Sequence, residues 1–296
     1  MRKVKIVATF YTLLSLFIFC QTASCQESKK KVLFISSYSY DWVIVPHELD
    51  GYNSAINSET TTHYLFMDTK KVPYQKDSIF IKEFYSHILT LREAHGEYDI
   101  IVVADDAALM FSLDYRDSLF KGIPIVFLGI DSYELAKEAY ETGQMTGYFE
   151  SHFDSENLDL ASKLLPDMQT LFVITDDTIA GKASRAEFQK ALAQKNYNFN
   201  VSYINSSNLT YEELQESISS VALPNGLYLL NMTNDKYGNY YAGHISERLS
   251  PYVKTIIISP IGQIKYCTAG IITDYFSIGR SAALTVNKIL SGPAVK

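Results

Sequence analysis

Cysteine is nearly missing from this chain: three residues in 296, of which Cys20 and Cys25 lie within the first 25 positions. The body that follows holds only Cys267, so no disulfide framework braces it and the fold must rest on its core. Positive charge is also scarce. Twenty-six Lys and Arg against 33 Asp and Glu leave a net charge of −7, which points away from nucleic acid as a partner. Neither G-x-G-x-x-G nor G-x-S-x-G occurs, so dinucleotide binding and α/β-hydrolase chemistry lack sequence support. Gly181-Lys182-Ala183-Ser184 has Ala where a phosphate loop needs Ser or Thr for magnesium, and reads as a helix N-terminus. There is no Cys-x-x-Cys, and the six histidines show no ligand spacing, so neither a metal site nor a cofactor is expected.

Long apolar runs are absent too. The apolar part of the leading uncharged stretch, Ile6 to Phe19, is 14 residues, short of the ~20 that span a bilayer. Preceded by Arg2, Lys3 and Lys5 and followed by small and polar residues, it has the order of an export leader covering residues 1–25. Thr22-Ala23-Ser24-Cys25 is a loose lipoprotein box without its usual Leu, which makes Cys25 a lipidation candidate.

What the chain does have is one design repeated four times in its first half, a short apolar run ending in a polar cluster. The runs are VLFISSYSYDW (32–42), YLFMDTKK (64–71), IIVVADDAAL (100–109) and PIVFLGIDSY (124–133). β-Branched runs bounded by helical patterns read as strands of a parallel sheet covered on both faces. The carboxyl ends of such strands form the binding crevice. Ser37, Tyr38, Trp42, Asp68, Thr69, Asp105, Asp106 and Asp131 are therefore expected on one rim. Ile79, Phe80, Phe84, Ile88 and Leu91 fall at helical spacing and mark a scaffold helix.

Met145 to Glu150 is too short and Gly-interrupted for a core strand and reads as a crossover into a second series of the same kind. Strands there are expected at 171–177, 200–204, 227–233 and 255–259, with polar ends at Asp177, Thr178, Thr233, Asn234 and Ser259. The segment GIITDY (270–275), carrying Asp274, and a helix over 278–290 return to the first unit. The expected fold is α/β: two Rossmann-like lobes, each a parallel sheet flanked by helices, residues 31–147 with 262–296 and residues 148–261, hinged around a cleft suited to a small molecule.

Several of these residues have two readings. One of Asp105 and Asp106 caps the helix that begins near Ala107, or one contacts a ligand, or the two do acid/base work with split pKa values. Trp42 stacks on a ligand or, with Tyr38 and Tyr40, covers the next helix, and Lys70 and Lys71 contribute to the rim or form a solvated edge, the latter reading being the stronger for Lys71.

Taken in order, VLFISSYSYDW with Gly51-Tyr52-Asn53, MDTKK, ADDAAL, GIPIVFLGID, the Met145–Glu150 crossover and AGIITDYFSIGRSAALTVNKILSG resemble the ABC-transporter substrate-binding-like proteins of the type I periplasmic-binding fold. Related domains serve as extracytoplasmic sensor regions of bacterial histidine kinases and diguanylate cyclases. The resemblance covers nearly all of residues 32–292. It implies two lobes closing on a solute, with cleft positions at Ser37, Tyr38, Trp42, Asp68, Thr69, Asp105, Asp106, Gly129 and Glu150. Two departures are visible: Ile264 to Ala269 replace a bulkier Gly-rich segment, and no further strand follows the ILSG segment before Lys296. The expected function is extracytoplasmic capture of a small polar solute, either for a membrane permease or for a C-terminal transmembrane signalling module. The alternative is an exported acid/base hydrolase using Asp105 or Asp106.

Overall fold

A computed structural model of the chain describes residues 29–241, 245–260 and 266–292. The leader and Cys25 lie outside the described residues. Five strands form the first sheet: β1 (Lys30–Ser36), β2 (Thr60–Phe66), β3 (Ile100–Ala104), β4 (Ile125–Ile130) and β5 (Met145–Phe149). All are parallel, in the order β2-β1-β3-β4-β5. A second parallel sheet has the order β7-β6-β8-β9, from β6 (Thr170–Thr175), β7 (Asn200–Asn205), β8 (Gly226–Leu229) and β9 (Ile257–Ile258). Two parallel-sheet α/β lobes are therefore present, the expected architecture.

The helices of the first lobe are α1 (Val45–Ala55), α2 (Ile79–His95), α3 (Asp105–Asp114), α4 (Arg116–Leu119) and α5 (Tyr133–Glu141). Those of the second are α6 (Asp154–Leu164), α7 (Ile179–Ala193), α8 (Tyr211–Ser220) and α9 (Ile245–Leu249). Apolar side chains cover both faces of each sheet, which is why strands such as Ile100–Ala104 are buried throughout. β2 starts four residues before its apolar run. It is an edge strand, only partly buried, where Thr60, Thr61 and Thr62 fit a half-solvated pleat.

Two segments differ from expectation. Met145–Phe149 is a strand before it is a crossover, paired in parallel to β4. Its Gly147 is required by that pairing, because a Cβ there would stand 1.9 Å from the Phe127 carbonyl oxygen. The helix expected over 278–290 begins earlier, as α10 (Tyr275–Ser291) capped by Asp274, and the segment leading into it forms no strand. That helix packs on the first sheet beside α1, burying Ala282, Ala283 and Val286, and Asn287 Nδ2 donates to Ala55 O at 2.8 Å. The segments running between the sheets lie side by side, with Thr273 Oγ1 donating to Ser151 O at 3.2 Å. No helix among the described residues is long and apolar enough to cross a membrane.

Candidate functional site

In the order β2-β1-β3-β4-β5 the chain reverses its direction of travel between β1 and β3, and a crevice opens outside the strand ends there. Tyr38 and Trp42 follow β1, Asp105 opens α3 after β3, Asp131 follows β4 and Glu150 follows β5. All five line a cavity of about 100 Å³. Ala180, Ser184, Leu230 and Asn231 line it from the second lobe, so the cleft lies between the two sheets.

Asp105 has a left-handed backbone (φ +65°), a conformation that Asp tolerates better than most residues. The turn sends its carboxyl down beside Glu48, which reaches in from α1 and is fully buried. Gly129, also left-handed at φ +64°, makes room for both. A Cβ on it would stand 2.9 Å from Glu48 Oε1 and 3.6 Å from Asp105 Oδ1. Glu48 Oε1, Glu48 Oε2 and Asp105 Oδ2 are buried without a hydrogen-bond partner. Burial first, then nearby carboxylates, holds both groups well above the usual carboxylate range. For Asp105 the strongest of these fields is that of Glu48.

Glu150 extends the acidic wall. Burial and then Asp131 push it up to about 8, against the pull of Tyr275, whose hydroxyl donates to Glu150 Oε1 at 2.6 Å. Asp106 is pushed up to about 6 by burial and Asp131. Opposite these acids, Tyr38 and Trp42 form a corner with ring centroids 5.8 Å apart. Lys70 Nζ stands 4.3 Å from the first centroid and 4.5 Å from the second. Burial lowers the Lys70 pKa, and the fields of Asp131, Asp105, Asp176 and Glu150 oppose that shift.

Of the residues expected on the rim, Tyr38, Trp42, Asp105, Asp131 and Glu150 come together, and Gly129 supports them from beneath. Ser37 does not reach the cleft. It is buried, donates to Ala104 O at 2.8 Å and accepts from Ala108 N at 2.8 Å, so it is Ser37, and neither Asp105 nor Asp106, that serves the start of α3. Thr69 Oγ1 is spent on Ser37 O at 2.8 Å, and Asp68 Oδ2 on Lys71 Nζ at 2.9 Å. Asp106 Oδ1 accepts the backbone N–H groups of Asp131 and Ser132, fixing the turn into α5.

The second-lobe candidates are likewise used internally. Asp177 pairs with Arg185 (3.1 Å) and Asn205 (2.8 Å), and Thr178 caps α7 through Gly181 N. Thr233 N donates to Asp176 Oδ2, Ser259 Oγ to Leu229 O, and Asn234 O accepts from Ser206 Oγ. Asp274, which belongs with the first lobe, accepts from Ser277 N and Oγ at the start of α10. None of these six residues lines the cavity. Conversely, Glu48, Lys70 and Tyr275 belong to the site but were not among its expected members. The Asp68–Lys71 run carried a signal for Lys70, whereas nothing in the sequence distinguishes Glu48 from a scaffold residue of its helix. Among the described residues no group of three or more His, Cys, Asp or Glu is placed to hold a metal ion.

Ser37→Ala is expected to cost about 1–2 kcal/mol, since it takes the side-chain acceptor from the helix-start N–H of Ala108, while Ala104 O keeps the Ser37 backbone N–H at 3.0 Å. The melting temperature should fall by roughly 2–8 °C. Melting unchanged from wild type would refute the capping role.

No family model and no curated protein matches the chain. Solved structures share its fold. A conserved domain protein from Vibrio cholerae is 17% identical with a TM-score of 0.60, over 90% of this chain and 86% of that one. An ABC domain in complex with L-Trp from Streptococcus pneumoniae is 14% identical, TM-score 0.58, over 90% and 86%. An ABC transporter solute binding protein from Bacillus halodurans with bound myo-inositol is 13% identical, TM-score 0.53, over 91% and 92%. The fold is that of the type I periplasmic binding proteins.

Proposed function

We propose that the chain captures, outside the cytoplasm and without chemical conversion, a small polar solute bearing an amine, held as its ammonium in the interlobe cleft. The observation that carries this reading is the set of three buried, unpartnered carboxyl oxygens, Asp105 Oδ2 on a residue that lines the cleft and both oxygens of Glu48, which packs with Asp105 beside Gly129 behind that lining. A buried carboxylate is tolerated only when paired, and without a partner it stays protonated. An ammonium supplies both the charge and the N–H donors that these oxygens lack, while Tyr38 and Trp42 offer ring faces to the rest of the solute. Closing of the two lobes across the cleft would complete the enclosure. Neighbours of the fold that hold L-Trp and myo-inositol support binding rather than turnover.

The leader pattern of residues 1–25 supports export, and the captured solute would be passed to a permease, as the substrate-binding component of an ABC transporter, or reported through an attached signalling module, as a sensor region. A thermal-shift screen tests the solute class. Primary amines and amino acids, L-tryptophan included, are expected to raise the melting temperature. At 100 times its dissociation constant a ligand adds about 2.7 kcal/mol. A response confined to neutral solutes such as myo-inositol, or to carboxylates, would overturn the reading.

A further inference from the structure

We infer that Lys70 is a tethered occupant of the cleft, so that an incoming amine, its ammonium on the acids and its remainder on the ring faces, binds by displacing the Lys70 ammonium from the corner formed by Tyr38 and Trp42. The inference rests on the ammonium reading of the cleft and adds an internal competitor to it.

Three observations place Lys70 in that role. Its Nζ is nearly equidistant from the two ring centroids, at 4.3 and 4.5 Å, the geometry of a cation held by aromatic faces. Among the described residues no carboxylate lies within 4.0 Å of it, in contrast to its neighbour Lys71, which pairs with Asp68 at 2.9 Å. Lys70 lines the cavity itself, in the field of Asp105, Asp131 and Glu150. The ammonium is thus in the acidic cleft, on the rings, and not locked by an ion pair. It sits in the connection between β2 and α2, beyond the left-handed Asp68 (φ +56°), and not on a strand or helix. Lys70 on the rings and the remainder of a bound amine on the same rings exclude each other, and the apparent affinity for the solute is reduced by the fraction of time Lys70 occupies the corner.

Trp42 is the chain's single tryptophan, so its emission reads this corner directly. Full-length protein is titrated with ethylammonium chloride, with sodium chloride at matched ionic strength as the reference. Lys70→Met, which keeps the side-chain length but not the charge, is expected to change Trp42 emission before any addition. Ethylammonium should then return the emission toward the wild-type value, with half-saturation at least about fivefold lower than for wild type. Lys70→Gln has to behave the same way, and far-UV circular dichroism confirms that both variants are folded. Lys71→Met removes the same charge one residue away and is expected to leave half-saturation within about twofold, which separates occupancy from a general change in potential. If Lys70→Met binds ethylammonium no better than wild type, or no better than Lys71→Met does, the tethered-occupant inference fails while the ammonium reading stands. If ethylammonium moves neither emission nor melting in any of the proteins, while a neutral or anionic solute does, both fail.

Discussion

Asp105→Asn is expected to remove amine capture and at the same time to raise the melting temperature of the free protein. Asn is the substitution that isolates charge here, because it matches Asp in size and tolerates the left-handed backbone at φ +65°. A solute ammonium loses a charge-assisted partner worth about 1.5–3 kcal/mol, so affinity should drop by roughly 10- to 150-fold. The free protein gains for the opposite reason. Asp105 and Glu48 are buried acids whose ionisation is disfavoured by desolvation and then by neighbouring carboxylates, Glu48 foremost for Asp105, and a neutral amide removes that conflict whenever the pH would ionise Asp105. At pH 8 the gain should appear as a melting temperature higher by a few degrees. Asp106→Asn is the matched control. Its Oδ1 holds the N–H groups of Asp131 and Ser132, which an amide oxygen can still accept, so affinity should stay within about twofold of wild type. An Asp105→Asn protein that binds amines as tightly as wild type would sink the site assignment.

The same residue shows what could and could not be seen in the sequence. Four apolar runs with polar ends were legible as parallel strands, and in a parallel sheet all carboxyl ends meet on one side, so Tyr38, Trp42, Asp105 and Asp131 could be placed on one rim. Strand periodicity does not say which of several consecutive polar residues turns outward. At the end of β1 the next residue, Ser37, faces inward and serves α3, whereas Tyr38 faces the cleft. In the second lobe the polar strand ends are absorbed by their own turns: Asp176 takes Thr178 N and Thr233 N, and Asp177 takes Arg185 and Asn205. Glu48 was hidden for a different reason. It sits on a helix whose neighbours Val45, Leu49 and Tyr52 are core, and only the absence of a side chain at Gly129, half a domain away in sequence, opens the space its carboxyl enters. Lys70 follows a left-handed Asp68 that redirects the chain, a conformation no local pattern announced.

Raising the pH from 6 to 8 should destabilise the free protein and strengthen amine binding together. Glu150 is pushed up to about 8 by burial and by Asp131, with Tyr275 bonded to it, and Glu48 and Asp105 are raised as well. An acid with a folded pKa above its unfolded one keeps more protons in the native state. Its contribution is fully present below the unfolded value, near 4.5 for Glu, and is lost as the pH climbs through the folded value. Each excess native proton gives a slope of about −1.4 kcal/mol per pH unit across that window. Acids with lowered values, such as Asp177 and Asp274, act only in acid below the window. Lys70, held below its ordinary value by burial, opposes the trend only as the pH nears its own titration. An ammonium binds the ionised carboxylates, so capture releases protons, and affinity should rise by up to about tenfold per pH unit for each proton released. Calorimetric titrations in buffers of different ionisation enthalpy should register that release at pH 7. Glu150→Gln is expected to flatten both the melting profile and the affinity profile. A melting temperature that rises between pH 6 and pH 8 would show that these carboxyls are paired and ionised in the free protein, and the cleft would then have no charge deficit for a solute cation to fill.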